Sequence, residues 1–223
     1  MNTKHKILMA VLAAFSINVA SAEEANLQGD VGLEYTSQNY FRGQSVSEEA
    51  LQASIGADFN VGALGAFVDF STSQSLESGE DKHDTSVGVK TSFLDDTFSV
   101  SVGLLHYEYT AGNSELEGFV GATYNTILSP TMRFYRNTDE SLSTYEAAVS
   151  HGFDVGVADL TFGAGIGVTD LTSSTDSDYY ELSALASRSI TESVDAFATF
   201  RYNDADNRSD SDSFGGLGFS VKF

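Results

Sequence analysis

Charged side chains that could act on passing ions recur on the polar side of segments in which apolar and polar residues alternate. Their acidic members are Glu34, Asp58, Asp69, Glu117, Glu146, Glu181 and Asp195, and their basic members are Lys90, Arg133, Arg201 and Lys222. If these residues line a water-filled space, the excess of carboxylates predicts a mild preference for cations. If opposite charges instead pair across that space, they would block it. The sequence leaves both alternatives open.

A second group of carboxylates lies in polar stretches between the alternating segments: "ESGED" (Glu77–Asp81), "DSD" (Asp176–Asp178) and "DADNRSDSD" (Asp204–Asp212). Spaced carboxylates can bind Ca²⁺ through their oxygen atoms. The last stretch resembles the opening of an EF-hand loop only loosely, because Ser209 stands where that loop has glycine and Gly215 stands where it has a bidentate Glu. We therefore expect a solvated acidic surface and no metal site. Weak divalent bridging to lipopolysaccharide phosphates is the alternative.

Residues for catalysis are not grouped in this sequence. His83, His106 and His151 are far apart, and no nucleophile elbow, zinc motif or phosphate-binding glycine loop surrounds them. The sequence predicts a protein that is not an enzyme and has no cofactor. A hydrolytic Asp–His pair at the rim of a barrel is the alternative.

The elements that must position these charges follow an N-terminal segment that is typical of secretion. A basic start (Lys4, Lys6) precedes an apolar run over residues 7–19, and Ala20-Ser21-Ala22 forms an A-x-A cleavage site. This pattern predicts a cleaved signal peptide at 1–22 and a mature domain at 23–223, because the apolar run is too short to span a membrane. The chain has no cysteine, so no disulfide stabilises it.

The composition excludes several classes of protein. All 32 acidic residues follow the signal segment, whereas two of the 11 basic residues lie within it. The strongly negative net charge that results for the mature chain argues against binding to nucleic acid or adsorption to anionic lipid. The 16 Phe and 10 Tyr residues argue against disorder. No apolar run of the mature chain reaches the ~18 residues of a transmembrane helix.

Alternation with a period of two residues fills the mature chain and predicts β-strands. In "LQASIGADF" (Leu51–Phe59) the apolar residues occupy every second position, and "LTFGAGIGV" (Leu160–Val168) repeats this pattern. About ten residues is the length that a tilted strand needs to cross a bilayer, whereas strands of soluble proteins are usually nearer five or six. About twelve such segments are present, at 27–37, 47–59, 63–73, 83–93, 98–109, 115–124, 131–137, 144–153, 159–169, 179–187, 194–202 and 214–223.

The connections between segments alternate between short and long. Short ones lie at 60–62, 94–97, 125–130, 154–158 and 188–193, and longer polar ones at 38–46, 74–82, 110–114, 138–143, 170–178 and 203–213. The pattern predicts an all-β fold, a transmembrane antiparallel up-and-down β-barrel with short periplasmic turns and longer acidic extracellular loops. A soluble exported barrel or sandwich is the alternative, but small polar residues suit a wet interior and the apolar face suits lipid.

In this prediction the tyrosines and the phenylalanines lie at opposite ends of the strands. Tyr35, Tyr40, Tyr107, Tyr109, Tyr135, Tyr145, Tyr179, Tyr180 and Tyr202 lie near the loop end, and Phe59, Phe93, Phe98, Phe153 and Phe223 near the turn end. Two aromatic belts are expected where amphipathic rings meet lipid headgroups.

Arg42 lies where the first predicted strand reaches the outer rim. We expect Tyr40 and Phe41 to lie in the headgroup belt and Gly43 to allow the turn. The guanidinium is predicted to hold the first loop in place by pairing with Glu34, Glu48, Glu49 or acids of a neighbouring loop. A positive gate over a pore mouth is the alternative role.

The C-terminal "GFSVKF" places Phe219 and Phe223 on the apolar face of the last strand. It resembles the terminal signal by which the barrel-assembly machinery recognises outer-membrane proteins.

The stretch "VGLEYTSQNYFRGQSVSEEALQASIGADF", with "LGAFVDFS" after it, resembles the start of the TorF family of porins, also called Gcw_chp-type outer-membrane proteins. Tyr40-Phe41-Arg42-Gly43 matches the tyrosine-x-arginine-glycine turn of that family. The resemblance covers about residues 29–73. It implies a channel-like barrel of the outer membrane.

Together these patterns predict an outer-membrane porin-like channel for passive diffusion of small hydrophilic solutes or ions. The alternative is a non-conducting structural or surface-interaction barrel whose acidic loops bind cations or partners. The expected partners are outer-membrane lipid, lipopolysaccharide and the barrel-assembly machinery, with no nucleic acid. A homo-oligomer is compatible with the same apolar face.

Overall fold

The computed structural model describes residues 26–61, 64–139, 142–172, 175–206 and 211–223. Twelve strands form a closed antiparallel barrel, which confirms the predicted fold class. They are β1 (Asn26–Thr36), β4 (Ala50–Val61), β5 (Leu64–Ser75), β6 (Lys82–Phe93), β7 (Phe98–Tyr109), β8 (Ser114–Tyr124), β9 (Thr131–Asn137), β10 (Ser143–Asp154), β11 (Asp159–Thr172), β12 (Thr175–Ser189), β13 (Val194–Ala205) and β14 (Asp212–Lys222). Two short strands, β2 (Asn39–Phe41) and β3 (Gln44–Ser47), form a separate hairpin between β1 and β4.

The barrel closes where the first and last strands meet. β1 pairs with β4 on one side and with β14 on the other. Beyond the last register pair, Gly29 and Phe223 exchange two backbone hydrogen bonds, each of 3.0 Å. Such closure leaves no open sheet edge, which a bilayer requires because it offers no partner for an unpaired backbone group.

The strand register sorts side chains between lipid and lumen. Lys90 lies opposite Ser101, Ser101 opposite Gly121, and Gly121 opposite Arg133, so these polar and small residues share the inner face. The alternate positions carry large apolar side chains that are exposed on the outside, such as Ile166 (64% exposed). The outer face is therefore the one that contacts lipid, as the alternation predicts.

Two details of the predicted barrel are wrong. Tyr107, Tyr109, Tyr135 and Tyr179 face the lumen, because they share strand parity with lumen residues. The other predicted belt tyrosines on barrel strands, Tyr35, Tyr145, Tyr180 and Tyr202, face outward. The predicted phenylalanine belt does face outward. The predicted long loop at 170–178 is wrong for the described part of that range, because β11 runs to Thr172 and β12 begins at Thr175.

Some predicted features fall outside the described residues, namely the signal peptide at 1–22 and positions 207–210 of the acidic stretch Asp204–Asp212. In the part of the chain that is described, no helix has the length and hydrophobicity needed to cross a membrane.

The facing of β10 can be tested with two adjacent positions. Val149 is exposed on the outer face, and Ser150 is the next residue, on the lumen face. We expect Val149→Arg to lower the free energy of unfolding by about 2–4 kcal/mol, because the charge would enter lipid near mid-strand. Ser150→Arg should have a much smaller effect. Urea unfolding of the protein in phospholipid vesicles measures both, and equal losses would contradict the assigned facing.

Candidate functional site

The hairpin β2–β3 folds into the barrel at its extracellular end. Its turn residues Arg42 (φ 51°) and Gly43 (φ 77°) both adopt left-handed backbone conformations. Two consecutive positive φ values are the pattern of a type I′ turn, which matches the twist of a tight hairpin. Gly43 adopts this conformation at no steric cost, whereas an L-residue such as Arg42 loses about 1–2 kcal/mol there. The contacts of the Arg42 side chain must offset that cost.

Arg42 forms the central contact between this hairpin and the barrel wall. Its Nη1 and Nη2 donate to the two carboxylate oxygens of Glu117 on β8, at 2.8 and 2.7 Å. Its Nε lies 3.9 Å from Glu146 on β10. The guanidinium also lies 4.4 Å from the ring centroid of Tyr135, a cation–π distance. The side chains of Arg42 and Glu117 are only 9% and 6% exposed, so the pair is largely shielded from water.

The pKa of Arg42 is raised above its usual value. Burial by itself would lower it, but the hydrogen bonds and the negative charge of Glu117 outweigh that effect. Arg42 is therefore a permanent cation inside the barrel.

Other hairpin residues contact the wall at different points around the barrel. The Tyr40 hydroxyl donates to Asp212, and its ring packs 5.2 Å from that of Phe214, both on β14. Asn39 donates to Ser73 on β5 at 2.8 Å. The hairpin therefore spans the lumen from β5 and β14 to β8.

A cation from the wall also contacts the hairpin. The Lys82 ammonium lies 3.8 Å from the centroid of the Phe41 ring and pairs with Asp84. The Phe41 ring packs against Tyr107, with centroids 5.2 Å apart. Lys82 and Tyr107 are 4% and 5% exposed, so this contact is as shielded as the Arg42–Glu117 pair. We call the β2–β3 residues 39–47 the lumen hairpin.

The position of Arg42 differs from the prediction. Arg42 lies within the lumen, and its carboxylate partners are Glu117 and Glu146 of the wall, so the predicted pairing with Glu34, Glu48 or Glu49 is wrong. Tyr40 and Phe41 pack inside the barrel, so their predicted place in the headgroup belt is also wrong. The reason is that the first loop folds as a hairpin of its own and turns inward.

The other predicted charges line the lumen wall, where several pair with near neighbours. Lys90 donates to Asp58 at 2.6 Å, Lys222 lies 2.5 Å from Asp195, and Arg201 lies 3.8 Å from Glu34. These pairs join strands that are adjacent or next-but-one along the wall, so they do not cross the lumen. It is the lumen hairpin that crosses it.

The remaining predicted charges also occupy lumen positions. Asp69 accepts a hydrogen bond from Ser86 at 2.8 Å, and Glu146 accepts one from Tyr179 at 2.6 Å. Glu181 lies opposite Asn203, and Arg133 lies opposite Glu146. The sequence analysis missed seven further lumen charges, although their strand parity could have revealed them: Asp30, Lys82, Asp84, Glu115, Asp154, Asp159 and Asp212.

The polar lumen wall and the hairpin across it suit passage or retention of solutes.

Histidines are scattered, with His83 beside Thr72, His106 beside Ser114 and His151 beside Phe153. Over the described ranges, no group of three or more His, Asp or Glu residues is placed to hold a metal ion.

Comparison with solved structures defines the class of fold, that of outer-membrane porins and channels. The chain matches a KdgM porin with a TM-score of 0.58 and 10% identity, covering 87% of this chain and 99% of the other. It matches the NanC porin with a TM-score of 0.56 and 12% identity, covering 87% and 100%. It matches the COG4313 outer-membrane channel from Pseudomonas putida F1 with a TM-score of 0.54 and 11% identity, covering 88% and 95%.

At these identities the likeness establishes the fold. The protein has the closed twelve-stranded β-barrel fold of these outer-membrane porins and channels. No family profile matches the sequence, and no curated protein matches it. The resemblance to the TorF family thus stays a prediction from the sequence.

Proposed function

We propose that this protein is a porin-like channel for passive diffusion of small hydrophilic solutes and ions, with the lumen hairpin as its constriction. The observation that carries the proposal is the lumen wall, which is lined by small and polar residues and whose ion pairs run along the wall. Below the hairpin the wall is open to water, since the side chains of Lys90 and Asp58 are 43% and 42% exposed. A closed structural barrel would have no need for such an interior.

Two further observations support this function. The three solved structures named above are two porins and a channel. The TorF resemblance at residues 29–73 points to the same class and includes the Arg42–Gly43 turn. On this proposal the chain is not an enzyme.

Planar-bilayer recording tests the proposal directly. Steady ion current through well-folded protein supports a channel, and no current at all would refute it. The alternative is a non-conducting barrel whose acidic loops bind cations or partners. The nearly complete burial of the Arg42–Glu117 pair favours that alternative, because a hairpin that stays permanently bound to the wall would close the lumen.

We further propose that the channel favours cations mildly, because lumen carboxylates outnumber lumen bases. Asp30 and Asp69 illustrate this excess, since they lean toward each other over Gly56. A Cβ at Gly56 would lie 2.9 Å from Oδ1 of Asp69 and 3.4 Å from Oδ1 of Asp30.

We expect Asp30→Asn/Asp69→Asn to shift the reversal potential in a salt gradient toward anions, by reducing the negative field in the lumen. The matched control is Asp95→Asn/Asp96→Asn, which removes the same charge from the β6–β7 turn, where Asn tolerates the positive φ of both residues. Equal shifts for the two variants would mean that lumen carboxylates do not set the selectivity. Preference for anions in the unmodified protein would refute the cation proposal.

The partners of the proposed channel follow from its location. The outer face would contact lipid or a second copy, and lipopolysaccharide phosphates would face the extracellular loops. Phe219 (58% exposed) and Phe223 (59% exposed) project outward from the last strand, where the barrel-assembly machinery could recognise them. The proposed signal peptide at 1–22 would direct export.

A further inference from the structure

Two phenylalanine rings lie across glycines on the lumen wall. A Cβ at Gly88 would come within 2.5 Å of Cζ of Phe67, and a Cβ at Gly103 within 2.8 Å of Cζ of Phe119. The two glycines therefore create the space that the rings occupy. Phe67 comes from β5 and Phe119 from β8, yet their centroids are only 6.2 Å apart because Gly88 and Gly103 lie between them. We call this pair the phenylalanine platform.

The platform is extended on one side by a third ring. Tyr135 lies opposite Phe119 in the register, with ring centroids 5.8 Å apart. Arg42 of the lumen hairpin lies over Tyr135, so the platform begins directly below the constriction. Any solute that passes the hairpin next meets these rings.

A cavity of about 240 Å³ adjoins the platform on its periplasmic side. Gly88 and Phe119 are each followed, and Gly103 is preceded, two positions along the strand by a cavity residue, namely Lys90, Gly121 and Ser101. Its lumen-facing polar lining includes Asn60, Lys90, Ser99, Ser101, Thr123 and Arg133. Small residues keep the space open, since Lys90 and Arg133 lie against Gly65 and Gly121.

The donors and acceptors of this cavity are mixed. Lys90 and Arg133 donate only, Asp58 accepts at the Lys90 ammonium, and the serine and threonine hydroxyls can do both. Each of the two cations has a carboxylate beside it, Asp58 at Lys90 and Glu146 opposite Arg133, so a solute with a full charge of either sign finds no unbalanced partner. Neutral hydroxyl groups, which donate and accept, suit this set best.

A sugar ring combines these requirements. Its C–H groups form an apolar face that packs on an aromatic ring, and its hydroxyl groups project from the edge. The cavity is smaller than the ~300–1,000 Å³ of pockets for drug-sized ligands, so it suits one ring and not a chain.

We propose that the phenylalanine platform and the adjoining cavity form a binding subsite for one neutral sugar ring. The proposal rests on the proposed function in that it names the class of solute that the channel would pass. Binding itself, however, needs only the folded barrel and an open periplasmic mouth.

Saturation-transfer NMR of glucose with the full detergent-solubilised protein tests the subsite. We expect binding that saturates, and Phe119→Ala should weaken it by about tenfold because the packing surface is lost. The matched control is Phe197→Ala on the opposite wall. Phe197 lies across Gly218 in the same way, with Cζ 2.4 Å from the position of a Cβ, but its strand β13 contributes no residue to this cavity, whereas the Phe119 strand β8 does. The control should bind glucose as the unmodified protein does.

Arg133→Gln provides a second variant that leaves the platform intact, and we expect it to weaken glucose binding about threefold or more. Unchanged affinity in both Phe119→Ala and Arg133→Gln would overturn the subsite, and so would tighter binding of glucuronate than of glucose. Bilayer recording separates this proposal from the channel. Ion current without glucose binding refutes the subsite alone, whereas glucose binding without ion current refutes the channel alone.

Discussion

Removal of the lumen hairpin is expected to raise single-channel conductance several-fold. Residues 39–47 cross the lumen and contact the wall from β5 to β14, so replacing them by a short Gly–Ser linker would remove the narrowest part of the path. The barrel strands do not depend on the hairpin for their ladders, because β2 and β3 form a separate sheet and the bridge from Ser47 goes to Gly79 in the β5–β6 loop. The shortened protein should therefore still fold as a closed barrel.

Planar-bilayer recording of the deletion and the unmodified protein measures this effect. The matched control shortens the loop at 110–113, which connects β7 and β8 at the same end of the barrel but does not cross the lumen. We expect the control to conduct like the unmodified protein. If the deletion and the unmodified protein conduct equally, the hairpin is not the constriction. If only the deletion variant conducts, the unmodified protein is a closed barrel, and this result supports the alternative function of a non-conducting barrel.

Arg42→Met is expected to destabilise the seated hairpin by about 3–5 kcal/mol, because it leaves the Glu117 carboxylate buried without its partner. Glu117 is 6% exposed, so water cannot readily replace the two lost hydrogen bonds. The variant should show long-lived states of high conductance. The hairpin should also become sensitive to chymotrypsin at Tyr40 and Phe41, which the seated hairpin holds against the wall.

Two further variants make this prediction specific. Arg42→Met/Glu117→Met removes both charges and should recover part of the lost stability, because no charge is then left unpaired. Lys222→Met removes a base from an exposed wall pair, in which Lys222 is 61% exposed, and should change little. Chymotrypsin resistance of Arg42→Met equal to that of the unmodified protein would show that the Arg42–Glu117 pair does not hold the hairpin.

The barrel could be predicted from the sequence because its rules are local. Alternation of Leu51 to Phe59, repeated about every fifteen to twenty residues, indicates strand, facing and length at once. The same parity places Lys90 and Arg133 in the lumen, and the register agrees. Prediction of the tyrosine belt used only the strand end and neglected parity, so it misplaced Tyr107 and Tyr135, which face the lumen.

The lumen hairpin could not be predicted because its contacts are distant in sequence. Arg42 and Glu117 are separated by 75 residues, and Tyr40 and Asp212 by 172. The stretch itself contains nearby acids, Glu48 and Glu49, which made a local ion pair the simpler interpretation. Only the closed barrel brings Glu117 and Asp212 to opposite sides of one hairpin. Even so, the Arg42–Gly43 pair was identified as the turn, and both residues have the positive φ that a tight hairpin requires.

The contacts of Tyr40 with β14 also have a consequence for the order of folding. The hairpin lies near the N-terminus, whereas Asp212 and Phe214 belong to the last strand of the chain. Contacts at such separation form late, because the chain entropy of a long loop must be lost first. The set of wall contacts that holds the hairpin is therefore complete only once β14 has paired with β1. A nascent barrel passes through a stage in which its wall is formed and its interior is still unobstructed, so the narrow passage is the last part of the molecule to mature.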